Sequence, residues 1–261
     1  MTKIEVKSVT EFFKVIGEFA DRAGPDPLWF RGTGSEKYKL APSLYRHPSA
    51  KTIEKLLDVE NRLIERFRQR SVPFLMDRHL SDDWEFLFLM QHYDVPTRLL
   101  DWSESAMVAL WFALNSKAKD REFASVWTLN PTKWNQKVFE FQSYRGGIMS
   151  ISDLQLLGYK PGAGATSMNT MPAAIYGTHN SPRIVAQRGA FTIAGSDLTA
   201  LEETEAARNV DGLLSRIVIM ESEVPIMQKQ LSQTGFTESM VFPDLPGLAR
   251  ELSSMEGFSN V

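Results

Sequence analysis

The chain has 261 residues, of which 43% are hydrophobic, so it can bury a sizeable core in one large domain or two small ones and is not disordered by composition. Its formal net charge of -3 excludes a global basic character, so nucleic acid could be held only by a local patch. The absence of cysteine excludes disulfides, thiolate nucleophiles and thiolate metal sites, and it favours a reducing compartment.

The N-terminal residues include Glu5 where a secretory signal needs an apolar core. The longest apolar runs are also well short of the ~20 residues that a membrane span requires. We therefore expect a soluble cytoplasmic protein with no contact to a membrane.

The first 70 residues predict two helices around a short strand. Ser8 has the character of an N-cap, and the apolar spacing after it predicts a helix that ends before Gly24. Residues 28–30 form a short apolar run that predicts a buried strand, and the glycines in residues 31–34 permit close approach of another backbone or a ligand. Residues 52–70 alternate apolar and charged side chains at the period of an amphipathic helix.

Two further helices are predicted on either side of a proline. The first begins after Asp82 and has residues 91–94 on its last turn, because Val95 precedes Pro96 and leaves helical geometry. The second is capped by residues 103–104 and runs through Asn115.

Short β-branched runs bounded by turns predict strands in the rest of the chain. They are residues 124–129, 183–186, 189–193 and 215–219. Residues 158–182 are rich in glycine and proline and predict a mobile loop or linker. We therefore predict one α+β domain over residues 1–261, with a helical N-terminal half packed on a mixed, mainly antiparallel sheet.

A string of polar groups interrupts the apolar pattern between residues 91 and 102. Strongly apolar stretches precede it at residues 84–90 and follow it at residues 106–114. Hydrogen-bonding groups on such a rigid, half-buried junction are typical of a binding or catalytic site.

The sequence of residues 91–113, QHYDVPTRLLDWSESAMVALWFA, resembles the signature of the FRG domain. That family is named for a Phe-Arg-Gly motif, which is present here as Phe30, Arg31 and Gly32. The remaining family blocks resemble residues 40–46, Arg183 with Gln187, Gly189 and Phe191, and residues 242–245. The resemblance therefore spans roughly residues 28–250.

Arg31 and the helix end near His92 are the first candidates for chemistry. A guanidinium that ends an apolar strand and precedes glycine is suited to holding phosphate, and the alternative is an ion pair with Asp101. At a helix C-terminus the dipole favours the charged form of His92, which suits phosphate binding or general-acid catalysis. The alternative there is that two of Gln91, His92 and Tyr93 cap backbone carbonyls.

The other candidates also have structural interpretations. Arg98 and Asp101, three residues apart, predict a pair that clamps the turn. Trp102 is either a core residue or a stacking face for a nucleobase or nicotinamide. Gln187 and Arg188 would point to opposite faces of a strand, and the family match favours Gln187 as the one in the cleft.

Several well-known catalytic motifs are missing from the sequence. It contains no Gly-x-x-x-x-Gly-Lys loop, no Gly-x-Ser-x-Gly turn and no His-Glu-x-x-His, and its four histidines are scattered. We therefore exclude ordinary ATPases, serine hydrolases and zinc enzymes, and we expect no metal.

Residues 28–32 also resemble the first strand of ADP-ribosyltransferases, where Arg or His beside Gly holds the phosphates of NAD. That resemblance implies an ADP-ribosyltransferase-like fold and a transferase with NAD as substrate. It departs from those enzymes at the later strand, which offers Gln187 in place of glutamate, with Glu140, Glu202 and Glu203 as unplaced alternatives. The candidate catalytic residues are Arg31, His92 and Gln187, and the candidate substrate-binding residues are Gly32, Tyr45, Arg46, Gln91, Tyr93, Arg98, Asp101 and Trp102.

Two other functions remain open on the sequence. No motif completes a set of nucleophile, base and stabiliser, so the same pocket could bind a nucleotide, a nucleic-acid end or a partner protein without turnover. A metal-independent RNase using His92 and Arg31 is the third hypothesis. The family resemblance also suggests a toxin or phage-defence role with a protein or nucleic-acid target.

Overall fold

The computed structural model describes residues 2–75, 80, 82–118, 122–178, 181–210 and 212–258. These residues form seven strands and ten α-helices. The strands are β1 (Thr2–Glu5), β2 (Trp29–Thr33), β3 (Leu99–Ser103), β4 (Phe123–Leu129), β5 (Ala173–Ile175), β6 (Gly189–Ile193) and β7 (Leu214–Met220). The helices are α1 (Val9–Ala23), α2 (Ile53–Ser71), α3 (Asp83–His92), α4 (Ala106–Asn115), α5 (Pro131–Val138), α6 (Pro182–Ala186), α7 (Glu205–Asn209), α8 (Val224–Gln233), α9 (Glu238–Val241) and α10 (Leu245–Met255).

All seven strands form one mixed sheet in the order β1-β7-β4-β2-β3-β6-β5. Only β1 and β7 are parallel, and every other neighbouring pair is antiparallel. The prediction of an α+β fold on a mixed, mainly antiparallel sheet is therefore confirmed. The N-terminal half is less purely helical than predicted, because it also supplies β1, β2 and β3.

Side-chain alternation on β4 divides the core between the two faces of the sheet. Ala124 and Val126 belong to a cluster with α1, α4 and α8. Trp127 and Leu129 belong to a second cluster with α2, α3 and α5. Successive strand residues point to opposite faces, so this half of the sheet is covered on both sides.

The four helices predicted in the first half are present. Ser8, Thr52 and Asp82 cap α1, α2 and α3 through side-chain oxygens that accept backbone N–H groups, as their residue types predict. The cap of α4 is Ser105 rather than residues 103–104, because Ser103 still belongs to β3. None of the described helices combines the length and apolar character needed to cross a membrane.

The strand predictions are correct for β4, β6 and β7 and wrong for residues 183–186, which form helix α6. Ser181 caps that helix and Pro182 occupies its first turn, two start signals that outweigh the β-branched pair Ile184 and Val185. Residues 158–182 are not a structureless loop, because they contain the fully buried strand β5. Residues 179–180 of that stretch lie outside the described residues.

A buried ion pair joins the two halves of the chain. Arg98 directs its Nε at both carboxylate oxygens of Glu60 on α2, each 2.9 Å away, and both side chains are at most 1% exposed. Its other nitrogens donate to the carbonyls of Tyr159 and Ala194. The predicted pair between Arg98 and Asp101 is wrong, since the two side chains leave the chain in different directions and Arg98 is enclosed in the core.

Replacing Glu60 by glutamine tests this pair. The Glu60→Gln variant keeps the shape but leaves Arg98 charged and buried, so the free energy of unfolding falls by about 3–5 kcal/mol. Urea denaturation followed by circular dichroism measures it. The control is Asp83→Asn at the partly exposed Arg68–Asp83 pair, which costs about 1 kcal/mol or less. Equal losses in the two variants would contradict the interpretation.

Candidate functional site

Strands β2 and β3 are neighbours that part almost at once. Their ladder contains one pair, Phe30 with Ser103, whereas β2 pairs with β4 and β3 with β6 along their full lengths. Continuation of the antiparallel register would place Arg31 opposite Trp102, but no such pair forms. The sheet is therefore open between the two strands.

Arg31 crosses this opening. Its Nη1 donates to the backbone carbonyl of Asp101, and the same nitrogen is 3.7 Å from the Asp101 carboxylate. That carboxylate accepts from Nε2 of Gln91 at 2.7 Å, and Gln91 in turn accepts from the hydroxyl of Thr97. Side-chain hydrogen bonds thus replace the missing backbone ladder and hold α3 against β3.

A cavity of about 240 Å³ lies at this opening. Its floor is formed by β2, β3 and β6, and its walls are formed by α4, α6 and the C-terminal end of α3. The lining residues are Phe30, Arg31, Gly32, Gln91, His92, Asp94, Asp101, Trp102, Ser103, Val108, Ala109, Phe112, Ser116, Arg183, Ile184, Gln187, Gly189 and Phe191. The cavity therefore collects polar groups from three separate parts of the sequence.

The end of helix α3 brings His92 and Asp94 to the rim. Nδ1 of His92 is 3.3 Å from the hydroxyl of Ser181, which also caps α6. Asp94 follows the helix with a positive φ of 58°, a left-handed conformation that non-glycine residues seldom adopt. The bend directs the chain out of the helix and leaves Asp94, which is exposed, on the cavity lining.

Arg183 on helix α6 and Gln187, the C-cap of that helix, are four residues apart and both line the cavity. The Arg183 guanidinium lies over the ring of Phe242, with its central carbon 4.8 Å from the ring centroid. Nε2 of Gln187 donates to the carbonyl of Val241 at 3.1 Å. Gln187 reaches the cavity as predicted, but it does so from the end of a helix and not from a strand.

The sequence interpretation missed Arg183 and Asp94 as site residues. The sequence analysis names Arg183 only as part of a family block. It predicts a strand over residues 183–186, which would not place Arg183 and Gln187 on one helical face. Recognition of Ser181 and Pro182 as a helix start would have placed Arg183 and Gln187 on one helical face. Asp94 has no local sequence signal, because its exposure to the cavity depends on the neighbouring β3 and α6.

The electrostatics of the site centre on Arg31. Burial lowers the pKa of Arg31 and the charge of Arg46 acts in the same direction, whereas Asp101 opposes the shift. Arginine remains protonated in proteins despite such shifts. The side chain of Arg31 is 25% exposed, so a guanidinium charge is available at the cavity surface.

Part of the predicted site lies elsewhere. Tyr45 donates to the carbonyl of Gly195, and burial raises the pKa of its hydroxyl. Arg98 is enclosed with Glu60, Arg46 is exposed, and Tyr93 is 62% exposed with its ring edge against His92. None of these four residues lines the cavity.

The alternative glutamates are engaged outside the cavity. Glu140 pairs with Lys137, Glu202 accepts from the backbone N–H of Leu40, and Glu203 pairs with Lys39. Trp102 borders the cavity but is only 3% exposed, and its Nε1 donates to Thr192. It is therefore a core residue rather than an open stacking face.

Residues 26–122 match the family model of the FRG domain. The match confirms the resemblance of these residues, which are less than half of the chain, to the FRG domain. No curated protein and no solved structure matches the chain, so the ADP-ribosyltransferase-like fold stays a prediction.

The FRG match contains β2, α3, β3 and α4, which supply most of the cavity, while Arg183 and Gln187 follow it in the sequence. Each residue of the Phe-Arg-Gly motif has a distinct role. Phe30 packs in the core beneath α4, and Arg31 bridges to β3. Gly32 permits contact with α4, because a Cβ there would lie 1.8 Å from the carbonyl oxygen of Ala109.

No group of three or more His, Asp and Glu able to hold a metal occurs among the described residues. That observation does not test the expectation that the protein needs no metal, which stays a prediction.

The contact between Gly32 and α4 yields a stability prediction. In Gly32→Ala the new methyl group overlaps backbone atoms of α4 that cannot rotate away, and we expect a loss of more than about 3 kcal/mol in urea denaturation. The control is Gly17→Ala on α1, where a Cβ meets nothing within 4 Å, and a gain of about 0.5–1 kcal/mol is expected. A stable Gly32→Ala protein would show that α4 does not rest on β2.

Proposed function

We propose that the cavity of this protein binds the phosphate of a nucleotide, with NAD as the candidate ligand and Arg183 and Arg31 as the phosphate-holding residues. The observation that carries the proposal is the state of Arg183. This side chain is partly buried, lines the cavity and forms no ion pair with any other described residue.

A half-buried guanidinium without a carboxylate partner can form charge-assisted hydrogen bonds with an anion that enters the cavity. The stack on Phe242 holds Arg183 in place without neutralising it. Arginine presents several N–H donors in one plane, a geometry that matches phosphate oxygens. The arrangement therefore favours a phosphate ligand over a neutral one.

The size and walls of the cavity support a nucleotide. Small-molecule pockets are usually about 300–1,000 Å³, so 240 Å³ suits one half of a dinucleotide with the other half outside. Phe30, Phe112 and Phe191 contribute apolar surface beside the polar groups. That combination of aromatic wall and cationic end matches a heterocyclic ring attached to a sugar phosphate.

A second candidate is ADP-ribosyl transfer from NAD at the same site, favoured by Asp101, a cavity-lining residue whose carboxylate accepts a hydrogen bond from Gln91. In that reaction the bond between the ribose C1 and the nicotinamide nitrogen breaks, and nicotinamide leaves with the bonding electrons. A nucleophile of the target bonds to C1 and loses its proton. Negative charge near the ribose would stabilise the cationic transition state.

Titration calorimetry with NAD tests the binding proposal. Arg183→Gln removes the charge and loses charge-assisted hydrogen bonds, so we expect binding to weaken by about 10- to 100-fold. Arg250→Gln is the matched control, because Arg250 also lies over Phe242 but pairs with Glu238 and does not line the cavity. Its affinity should stay within about twofold of the wild type.

The outcomes separate the functions. Absence of NAD binding to the wild type, or equal loss in both variants, would contradict the proposed phosphate site. Chromatography of the ligand after incubation with cell extract then shows whether NAD has reacted. Free nicotinamide supports transfer, and NAD recovered unchanged supports a binding module. Cyclic-phosphate products from added RNA would instead support an RNase.

A further inference from the structure

Two opposite charges on the cavity lining lack a protein partner within the described residues. Arg31 and Asp101 balance each other, and Arg183 is a cation without a carboxylate. Asp94 forms no ion pair or side-chain hydrogen bond with the described residues, and its backbone N–H bonds only locally to the carbonyl of Gln91. The cavity lining therefore includes one partly buried guanidinium and one exposed carboxylate that form no ion pair with the described residues.

The position of Asp94 is unfavourable for the fold. It follows the C-terminus of α3, where the helix dipole is negative and repels a carboxylate. Its φ of 58° is a left-handed conformation that aspartate and asparagine adopt more readily than most other non-glycine residues. The negative charge at this helix end is therefore more readily explained by a ligand than by stability.

Resting on the proposed function, we infer that Asp94 makes the site selective for a phosphate ester that carries a cationic ring. Arg183 neutralises the phosphate and Asp94 attracts the ring charge. Among nicotinamide nucleotides this chemistry distinguishes the oxidised form, whose pyridinium ring is positive, from the reduced form, whose ring is neutral. Asp94 is thus proposed as a specificity-determining binding residue.

NAD and NADH provide a sharp test, because they share both phosphates and the adenosine and differ only at the nicotinamide ring. We expect the wild type to bind NAD about three- to fivefold more tightly than NADH, near the upper end of the range for one exposed charge pair. ADP-ribose, which has no nicotinamide ring, should bind with the same affinity as NADH. Titration calorimetry of the full chain at fixed ionic strength gives the three affinities.

The decisive variant is Asp94→Asn. We expect the preference for NAD to fall to within about twofold, with NADH affinity unchanged, because asparagine keeps the shape and the left-handed conformation but not the charge. The urea midpoint should be equal or higher, since an unfavourable charge leaves the helix end. Asp58→Asn, on the exposed side of α2, is the control and should retain the preference.

The results distinguish this inference from the proposal on which it rests. Failure of all three ligands to bind overturns the phosphate site itself. Equal binding of NAD and NADH by the wild type leaves that site standing and overturns the role of Asp94. A preference for NAD that persists in Asp94→Asn also overturns it, because another group must then recognise the ring.

Discussion

The architecture of the site depends on the early separation of β2 from β3. Two neighbouring strands normally satisfy each other's backbone groups along their length, and here the ladder stops after one pair. The Arg31 guanidinium donates to the carbonyl of Asp101 across the opening. A side-chain hydrogen bond is therefore present where no backbone hydrogen bond joins the two strands. This hydrogen bond connects the two strands where their backbone pairing stops, and the cavity lies at the same opening.

Two left-handed residues and one cation without a carboxylate partner lie beside the cavity. Asp94 and Arg188 have left-handed conformations just after α3 and α6, and Arg183 forms no ion pair with the described residues. By contrast, Arg98 is fully enclosed and makes four hydrogen bonds that fix the segment leading into β3. Strain concentrated beside a rigid, well-satisfied region is the pattern expected of a binding site.

Local patterns predicted the helices and the longest strands well. Ser8, Thr52 and Asp82 signal helix starts by side-chain hydrogen bonds to nearby backbone groups, an interaction that needs no tertiary contact. Strand β3 was not predicted, because its residues form a strand only through pairing with β6. Strand β5 was hidden in a glycine- and proline-rich stretch for the same reason.

The sequence by itself determined the fold class, most helix boundaries and a set of candidate residues of which Arg31, Gln91, His92 and Asp101 line the cavity. Those features depend on periodicity, on caps and on a family motif that are all local in the chain. Only the tertiary structure decided that Arg98 belongs to the core with Glu60, that Arg183 faces the same cavity as Arg31, and that Asp94 faces it too. The partner of a charged side chain depends on long-range packing. The neighbouring residues in the sequence do not indicate which distant segment will lie beside it.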